Sequence, residues 1–353
     1  MSKYFSDKYA DLVAYTPGEQ PKERKYIKLN TNESPFPPAP AVKQAVLQAA
    51  ENLQLYCDPE SSKLNGAIAD FYGVKKENVI TGNGSDEILN FAVQAYCDKN
   101  TPLVFPDITY GFYPVFARLN GVPYREIPLK EDFTVDVEKF LGCKGTVVIA
   151  NPNAPTGIAL PLVEIEKILS FNKENVVIID EAYVDFGGES ALELIDKYDN
   201  LLVVRTFSKS RSLAGGRLGF GLANKDLIKD LNTVRYSTNP YNVNAMTQAA
   251  GIESVKDGAY FYRNINTVIE NREYTKTELE KLGFEVLDSK TNFLFVKKDG
   301  LDGEEYYNAL RARGILVRHF KAERIKNFNR VTVGTKEEMD AFIAATKEII
   351  NKE

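Results

Sequence analysis

Residues 201–222, LLVVRTFSKSRSLAGGRLGFGL, consist of two apolar runs joined by a loop of hydroxyls, cations and glycines. Residues 201–204 read as a strand, and the run after Arg217 reads as a second one. An ordinary turn between buried strands has no need of Ser208, Lys209 and Ser210 in succession. Lys209 reads as a nucleophilic amine that forms a Schiff base with a carbonyl, its pKa lowered by burial and by neighbouring cations. Arg211 and Arg217 are the cations at hand. A loop lysine is by default a solvated charge and a loop glycine a turn residue, so the reading depends on segments elsewhere that would complete a site.

Outward from this loop, residues from 78 to about 250 repeat one rhythm: a short β-branched run, a turn and an amphipathic helix. The strands predicted are 79–81, 102–105, 145–150, 176–180, 201–206 and 218–222. Such alternation predicts an α/β fold, a mostly parallel sheet with helices on both faces. Ligands of such sheets bind beyond the carboxyl ends of the strands. Residues 1–35 form a polar arm that leads into the proline-rich SPFPPAP, which favours extended chain over helix. Helices are predicted at 41–55 and 62–72. A long helix at 260–282 leads into a smaller α+β unit, with strands at 292–296, 315–318 and 330–333 and helices at 303–313 and 336–351. The division is therefore an arm at 1–35, a large domain at 36–255 and a small one at 256–353.

Composition excludes several classes. The 353 residues are 44% hydrophobic and 26% charged, ordinary for a globular chain with a large core. A net charge of −5 argues against nucleic acid as a partner. Cys57, Cys97 and Cys143 lie roughly 40 or more residues apart without CxxC pairing, as expected of reduced, cytoplasmic thiols. His319 is the only histidine, which leaves one candidate at most for a histidine metal site or a Ser-His-Asp triad; no metal is expected. No run approaches the length of a membrane span, so no membrane partner is expected.

Three further segments follow predicted strands. In TGNGSDE, Gly84, Ser85 and Asp86 precede a helix: either glycines and a helix N-terminus cradle a phosphate, or Ser85 or Asp86 caps the helix. In VVIIDEAY, Asp180 ends a buried strand, where a carboxylate requires a facing cation such as a pyridinium, or else caps the next element. Tyr183 stands three residues on. NPNAPTG is a rigid turn able to orient an asparagine amide, and FPDITYG places Tyr110 where it can stack on a flat ring or simply pack.

Taken together, these segments resemble the aminotransferase class I/II family of fold type I pyridoxal phosphate enzymes, from about residue 27 to the C-terminus. SKSRSLAGGRLGF, DEAY, GNGSDE, NTNESPFPPAP and RVTVGT carry the likeness. The resemblance implies pyridoxal 5'-phosphate as cofactor, with Lys209 as its Schiff-base lysine, Asp180 at the pyridine nitrogen and Tyr183 at the ring hydroxyl. It further implies Gly84, Ser85, Asp86, Ser208 and Arg217 at the phosphate and Tyr110 on the ring. Tyr56 would reach the phosphate of a neighbouring subunit, making the unit a homodimer. Arg330, helped by Arg318, would bind the anionic end of a small-molecule substrate, with Asn32 on the same side. The family asparagine before PTG is Ala154 here, so either Asn153 makes the ring contact or the contact is missing. Residues 15–18 do not map onto the family's substrate loop. The activity implied is transamination between histidinol phosphate and 2-oxoglutarate; an aromatic amino-acid transaminase and a phosphothreonine decarboxylase are the alternatives.

Overall fold

A computed structural model describes residues 2–10 and 12–351. In chain order the large unit contains α1 (Pro40–Ala50), α2 (Ser62–Tyr72), β2 (Val79–Gly82), α3 (Ser85–Tyr96), β3 (Leu103–Pro106), α4 (Tyr113–Asn120) and β4 (Tyr124–Ile127), preceded by the short β1 (Ile27–Lys28) of the arm. It continues with β5 (Thr146–Ala150), α5 (Leu162–Phe171), β6 (Val177–Asp180), β7 (Leu201–Thr206), β8 (Gly219–Ala223), α6 (Lys225–Thr238) and α7 (Ala245–Lys256). The strands form one seven-stranded sheet in the order β2-β8-β7-β6-β5-β3-β4. Strand β8 runs antiparallel to β7 and β2, and the remaining pairs are parallel.

Strands β5, β6 and β7 are buried on both faces, which is why they read as unbroken Val/Ile/Leu runs. Alternate residues divide between two cores. Ile149, Val177 and Val203 pack with Leu64 and Ile68 of α2 and Ile165 of α5. Val148, Ile178 and Val204 pack with Ile88 of α3, Phe116 of α4 and Leu231 of α6. Each such side chain contributes about 1.5–3 kcal/mol by leaving water. Strand β4 escapes the apolar-run reading because it is the sheet edge: its sequence is YREI, with Arg125 and Glu126 exposed. The first helix stops at Ala50 rather than 55, and Leu53 and Leu55 beyond it are exposed, with no core to hold another turn.

The rest of the chain runs through α8 (Gly258–Lys281), β9 (Glu285–Val286), β10 (Phe293–Lys297), α9 (Gly303–Ala312), β11 (Ile315–Leu316), β12 (Arg318–His319), β13 (Asn329–Thr332) and α10 (Lys336–Ile350). An antiparallel sheet in the order β12-β13-β10-β9 packs Leu294, Val296 and Val331 against Leu279 of α8, Leu310 of α9 and Phe342 of α10. The strand expected at 315–318 divides at Val317. Its first half pairs in parallel with β1, through Ile27↔Ile315, and its second half with β13. The arm is thereby held to the C-terminal sheet, and the residues that follow it run beside the carboxyl ends of the large sheet. No helix among the described residues is long and apolar enough to cross a membrane.

Candidate active site

The carboxyl ends of β5, β6 and β7 and the first turn of α3 enclose a cavity of about 400 Å³. Lys209, Tyr183, Tyr110 and Ala154 stand in the wall it shares with a second cavity of about 440 Å³, which Tyr15, Arg318 and Arg330 close from the other side. Residues far apart in the chain thus meet at one place, as the strand-end rule for such sheets requires.

Strand β6 carries Asp180 to the floor of the first cavity. The residue is 4% exposed. Its Oδ2 accepts a 2.9 Å hydrogen bond from the Tyr113 hydroxyl, and Oδ1 a 3.3 Å bond from the Ala182 N–H. No cation among the described residues pairs with it. Burial pushes its carboxyl up to about 6, against the pull of the Tyr113 bond. Tyr183 is held from two directions: Asn32 Nδ2 donates to its hydroxyl at 2.9 Å, and its ring meets Phe293 edge-on at 5.1 Å. Asn32 takes a positive φ of 57°, and its own Oδ1 accepts from Thr332 at 3.1 Å, so the arm and β13 together orient Tyr183.

Lys209 follows the last residues of β7. Its Nζ has one long contact, 3.5 Å to the Thr31 carbonyl, and lies 5.7 Å from the centre of the Tyr183 ring. It forms no ion pair with the described residues, so the amine is free to meet a ligand. Arg211 departs from the sequence reading. Its guanidinium turns to the other face of the sheet, 4.0 Å from the Phe261 ring centre and 4.6 Å from that of Phe71, and donates to Ser254 O at 2.7 Å. Aromatic faces and a carbonyl receive it there, with Nη2 left without a partner, and it does not line the cavity that Lys209 lines.

The other end of the cavity is built for an anion. Gly84, with φ of 81°, is the N-cap of α3 without a side-chain cap bond, so Ser85 and Asp86 do not serve as caps; both line the cavity. A Cβ on Gly84 would come within 2.6 Å of Arg217 Nη2, and one on Gly219 within 2.2 Å of Ser85 N. Glycine at both positions lets two backbones and a guanidinium crowd the helix N-terminus, where unpaired N–H groups and the dipole favour negative charge. Arg217 pairs with Asp86 at 3.2 Å, and Asp86 also accepts 2.8 Å from Tyr110. Ser208, buried at 6% exposure, completes that wall.

Asn153 is a second departure. Its amide is used within the turn, accepting from Thr109 at 2.8 Å and donating to Ile108 O and Thr156 at 3.0 Å. Ala154 lines the cavity instead. Tyr56 is 83% exposed, stacked on Tyr241 at 4.5 Å and outside its own chain's cavity. Sequence reasoning missed Tyr113, whose signal was its place one helical turn after Tyr110. It also missed Tyr15, which the arm lays 4.6 Å from Phe112 across the second cavity. The two arginines expected on the substrate side come together. Arg318 and Arg330 are directly opposed on the β12–β13 ladder and both line the second cavity. Arg330 donates to Asn30 O at 3.1 Å, while its Nε is buried without a partner. Burial, and Arg318 beside it, pull its pKa down.

The donor set fits a flat, cationic ring that bears a carbonyl and a phosphate: a buried carboxylate without a cation, an unpaired amine in the same cavity, and a helix N-terminus at the other end. Residues 24–345 match the family model described as aminotransferase class I and II. The chain is 50% identical over 352 residues to a histidinol-phosphate aminotransferase of Brachyspira hyodysenteriae, covering 99% of each protein. It is 48% identical over 353 residues to the enzyme of that name from Clostridium botulinum, covering 100% of both. Among solved structures, the histidinol-phosphate aminotransferase of Sinorhizobium meliloti in complex with pyridoxal-5'-phosphate superposes with a TM-score of 0.89 at 25% identity, over 100% of this chain and 99% of that one. A free lysine and a buried aspartate in one cavity at the ends of parallel strands, set in a chain that matches over nearly its whole length, place this protein in the aminotransferase class I and II family.

Proposed function

We propose that the protein transfers the amino group of histidinol phosphate to 2-oxoglutarate, with pyridoxal phosphate in the first cavity. The observation that carries the choice of substrate is the pair Arg318 and Arg330. Like charges directly opposite on a ladder repel, and among the described residues their hydrogen bonds go to the backbone carbonyls of Pro17 and Asn30 and not to a carboxylate. Two facing guanidiniums suit a phosphate monoester, which has charge and oxygens for both, better than a single carboxylate.

Asp180, Tyr183, Lys209, Tyr110 and the α3 cradle with Ser208 and Arg217 would hold the cofactor. When bound, that group supplies an electron sink for the pair left on the substrate carbon when its proton departs. The chain's own residues do the rest. The Asp180 carboxylate keeps a proton at the ring nitrogen. Lys209 would act as general base toward the substrate α-carbon and, as general acid, would deliver that proton to the former carbonyl carbon of the cofactor. Tyr183, fixed by Asn32, donates at the ring hydroxyl, and Tyr15 screens the reacting atoms from water.

The unit we propose is a cytoplasmic homodimer. Tyr56 and the neighbouring Leu47, Leu53 and Leu55 form an exposed apolar surface, a suitable place for a second copy to bind. From there Tyr56 would reach the partner's phosphate cradle.

Single-turnover reactions of the loaded enzyme with L-histidinol phosphate, phenylalanine, tyrosine and O-phosphothreonine test the reading. Histidinol phosphate should lead the aromatic acids by about tenfold or more in kcat/KM, equivalent to about 1.4 kcal/mol. Arg318→Ala and Arg330→Ala should erase that lead. A preference for phenylalanine or tyrosine would make this an aromatic transaminase, and release of carbon dioxide from phosphothreonine a decarboxylase.

A further inference from the structure

Behind the cavity floor, on the opposite face of the sheet, lies a buried polar cluster to which none of the roles above gives a task. Glu181 accepts from Arg205 Nε at 2.9 Å and Nη2 at 2.8 Å, and from the Ala191 N–H at 2.6 Å. Arg205 also donates to Ser190 Oγ at 2.8 Å, approaches Asp185 at 3.4 Å and lies 4.7 Å from the Tyr72 ring centre. Ser210 Oγ donates to the other oxygen of Asp185 at 2.5 Å.

Two properties of this cluster point beyond packing. A buried ion pair contributes little net stability compared with apolar residues of the same volume, because desolvation offsets the attraction. The stability of the sheet therefore does not explain it. Its members also occupy particular places in the chain: Glu181 is next to Asp180, Asp185 is two residues after Tyr183, and Ser210 is next to Lys209. The cluster thus joins the β6 loop, which carries the carboxylate and the phenol, to the β7 loop, which carries the amine. Lys209 itself has only the 3.5 Å contact to Thr31 to locate its side chain. The backbone beside it, tied through Ser210, decides where the amine starts.

We propose that Asp185 and Arg205 are positioning residues that set, through the Ser210 hydroxyl, the place of the Lys209 amine relative to Asp180 and Tyr183. The proposal rests on the reading of Lys209 as the carbonyl-binding lysine. Its consequence is that loosening the tether changes the reactivity of the amine without changing the fold.

Ser210→Ala, Asp185→Asn and Ser210→Thr would be compared with the parent protein and with Lys209→Ala. Three quantities would be measured: thermal unfolding of the cofactor-free chains, the pH midpoint of the absorbance of bound pyridoxal phosphate, and the rate at which borohydride fixes pyridoxal phosphate to the chain, read by intact mass. Ser210→Ala and Asp185→Asn should unfold near the parent temperature, move the midpoint by about half a pH unit or more, and slow fixation about tenfold. Ser210→Thr, which keeps the hydroxyl, should return both toward the parent. Parent-like midpoints and fixation rates in Ser210→Ala and Asp185→Asn would overturn the proposal, as would lowered unfolding temperatures with a parent-like midpoint in the folded fraction. Undiminished fixation in Lys209→Ala would instead remove the assignment of Lys209 itself, an outcome distinct from a failure of the tether alone.

Discussion

Asp180 and Glu181 are adjacent carboxylates, both buried, and the chain treats them in opposite ways. Glu181 points to the α2 side, where Arg205, Ser190 and the Ala191 N–H satisfy it. Burial opposes the Arg205 charge, but Glu181 outweighs it and raises the guanidinium pKa. Asp180 points to the α4 side and receives a phenol and one N–H, with no cation. Burial pushes its carboxyl up to about 6, and burial raises that of Glu181 as well despite Arg205, so the two differ in their partners and not in the direction of their shift. One residue of difference on a strand reverses the face, and with it the partners: Glu181 is completed by a guanidinium, a hydroxyl and an N–H, whereas Asp180 has no cation among the described residues.

The largest effect expected from breaking this contrast is on the satisfied side. Glu181→Ala leaves Arg205 buried with only Asp185 at 3.4 Å and should destabilise the cofactor-free protein by about 3 kcal/mol or more in denaturant titration. Glu181→Leu combined with Arg205→Met should recover most of that loss. A single substitution costing under about 1 kcal/mol would show that the pair is not the buried unit described.

On the unsatisfied side the sign reverses. Asp180 holds its proton in the folded chain up to about pH 6, whereas a free aspartate releases it near 3.8. Between these values the folded state binds more protons than the unfolded one, so stability falls as pH rises through that window and the penalty persists above it. Asp180→Asn should therefore stabilise the cofactor-free protein by roughly 1–3 kcal/mol at pH 7–8, with little change at pH 4. The same substitution should weaken binding of pyridoxal phosphate. A destabilised cofactor-free Asn variant would mean that Asp180 already has a charge partner in the folded chain.

The smallest effect concerns Tyr113, whose hydroxyl holds the Asp180 carboxyl below the value that burial alone would impose. Tyr113→Phe should change stability by no more than about 1 kcal/mol. It should, however, raise the pH below which cofactor affinity declines. An unchanged pH profile of cofactor binding would reduce Tyr113 to a packing residue.

The legibility of the site follows the same division. Lys209, Asp180, Tyr183, Ser85 and Arg217 each follow or precede an apolar run or a glycine turn in the chain, which made their convergence on strand ends readable, and all line one cavity. Arg211 was misread because it has the right chemistry near the right place and a side chain pointing elsewhere, and of the two readings open for Asn153 the structure shows its amide bonded within its own turn. Strand β4 was missed because an edge needs no apolar face. The arm's role was hidden because its contacts, Asn32 with Tyr183 and Tyr15 with Phe112, join segments about a hundred or more residues apart.

By itself the sequence determined the α/β rhythm, the strand-end loops and the polar groups those loops carry, because hydrophobic period and turn chemistry are local. Only the tertiary structure decided which of two neighbouring carboxylates goes without a cation, that Arg318 stands opposite Arg330, and that Ser210 is tied to Asp185. Those depend on strand register and on which face a side chain takes, and burial turns that choice of face into a difference in charge and reactivity.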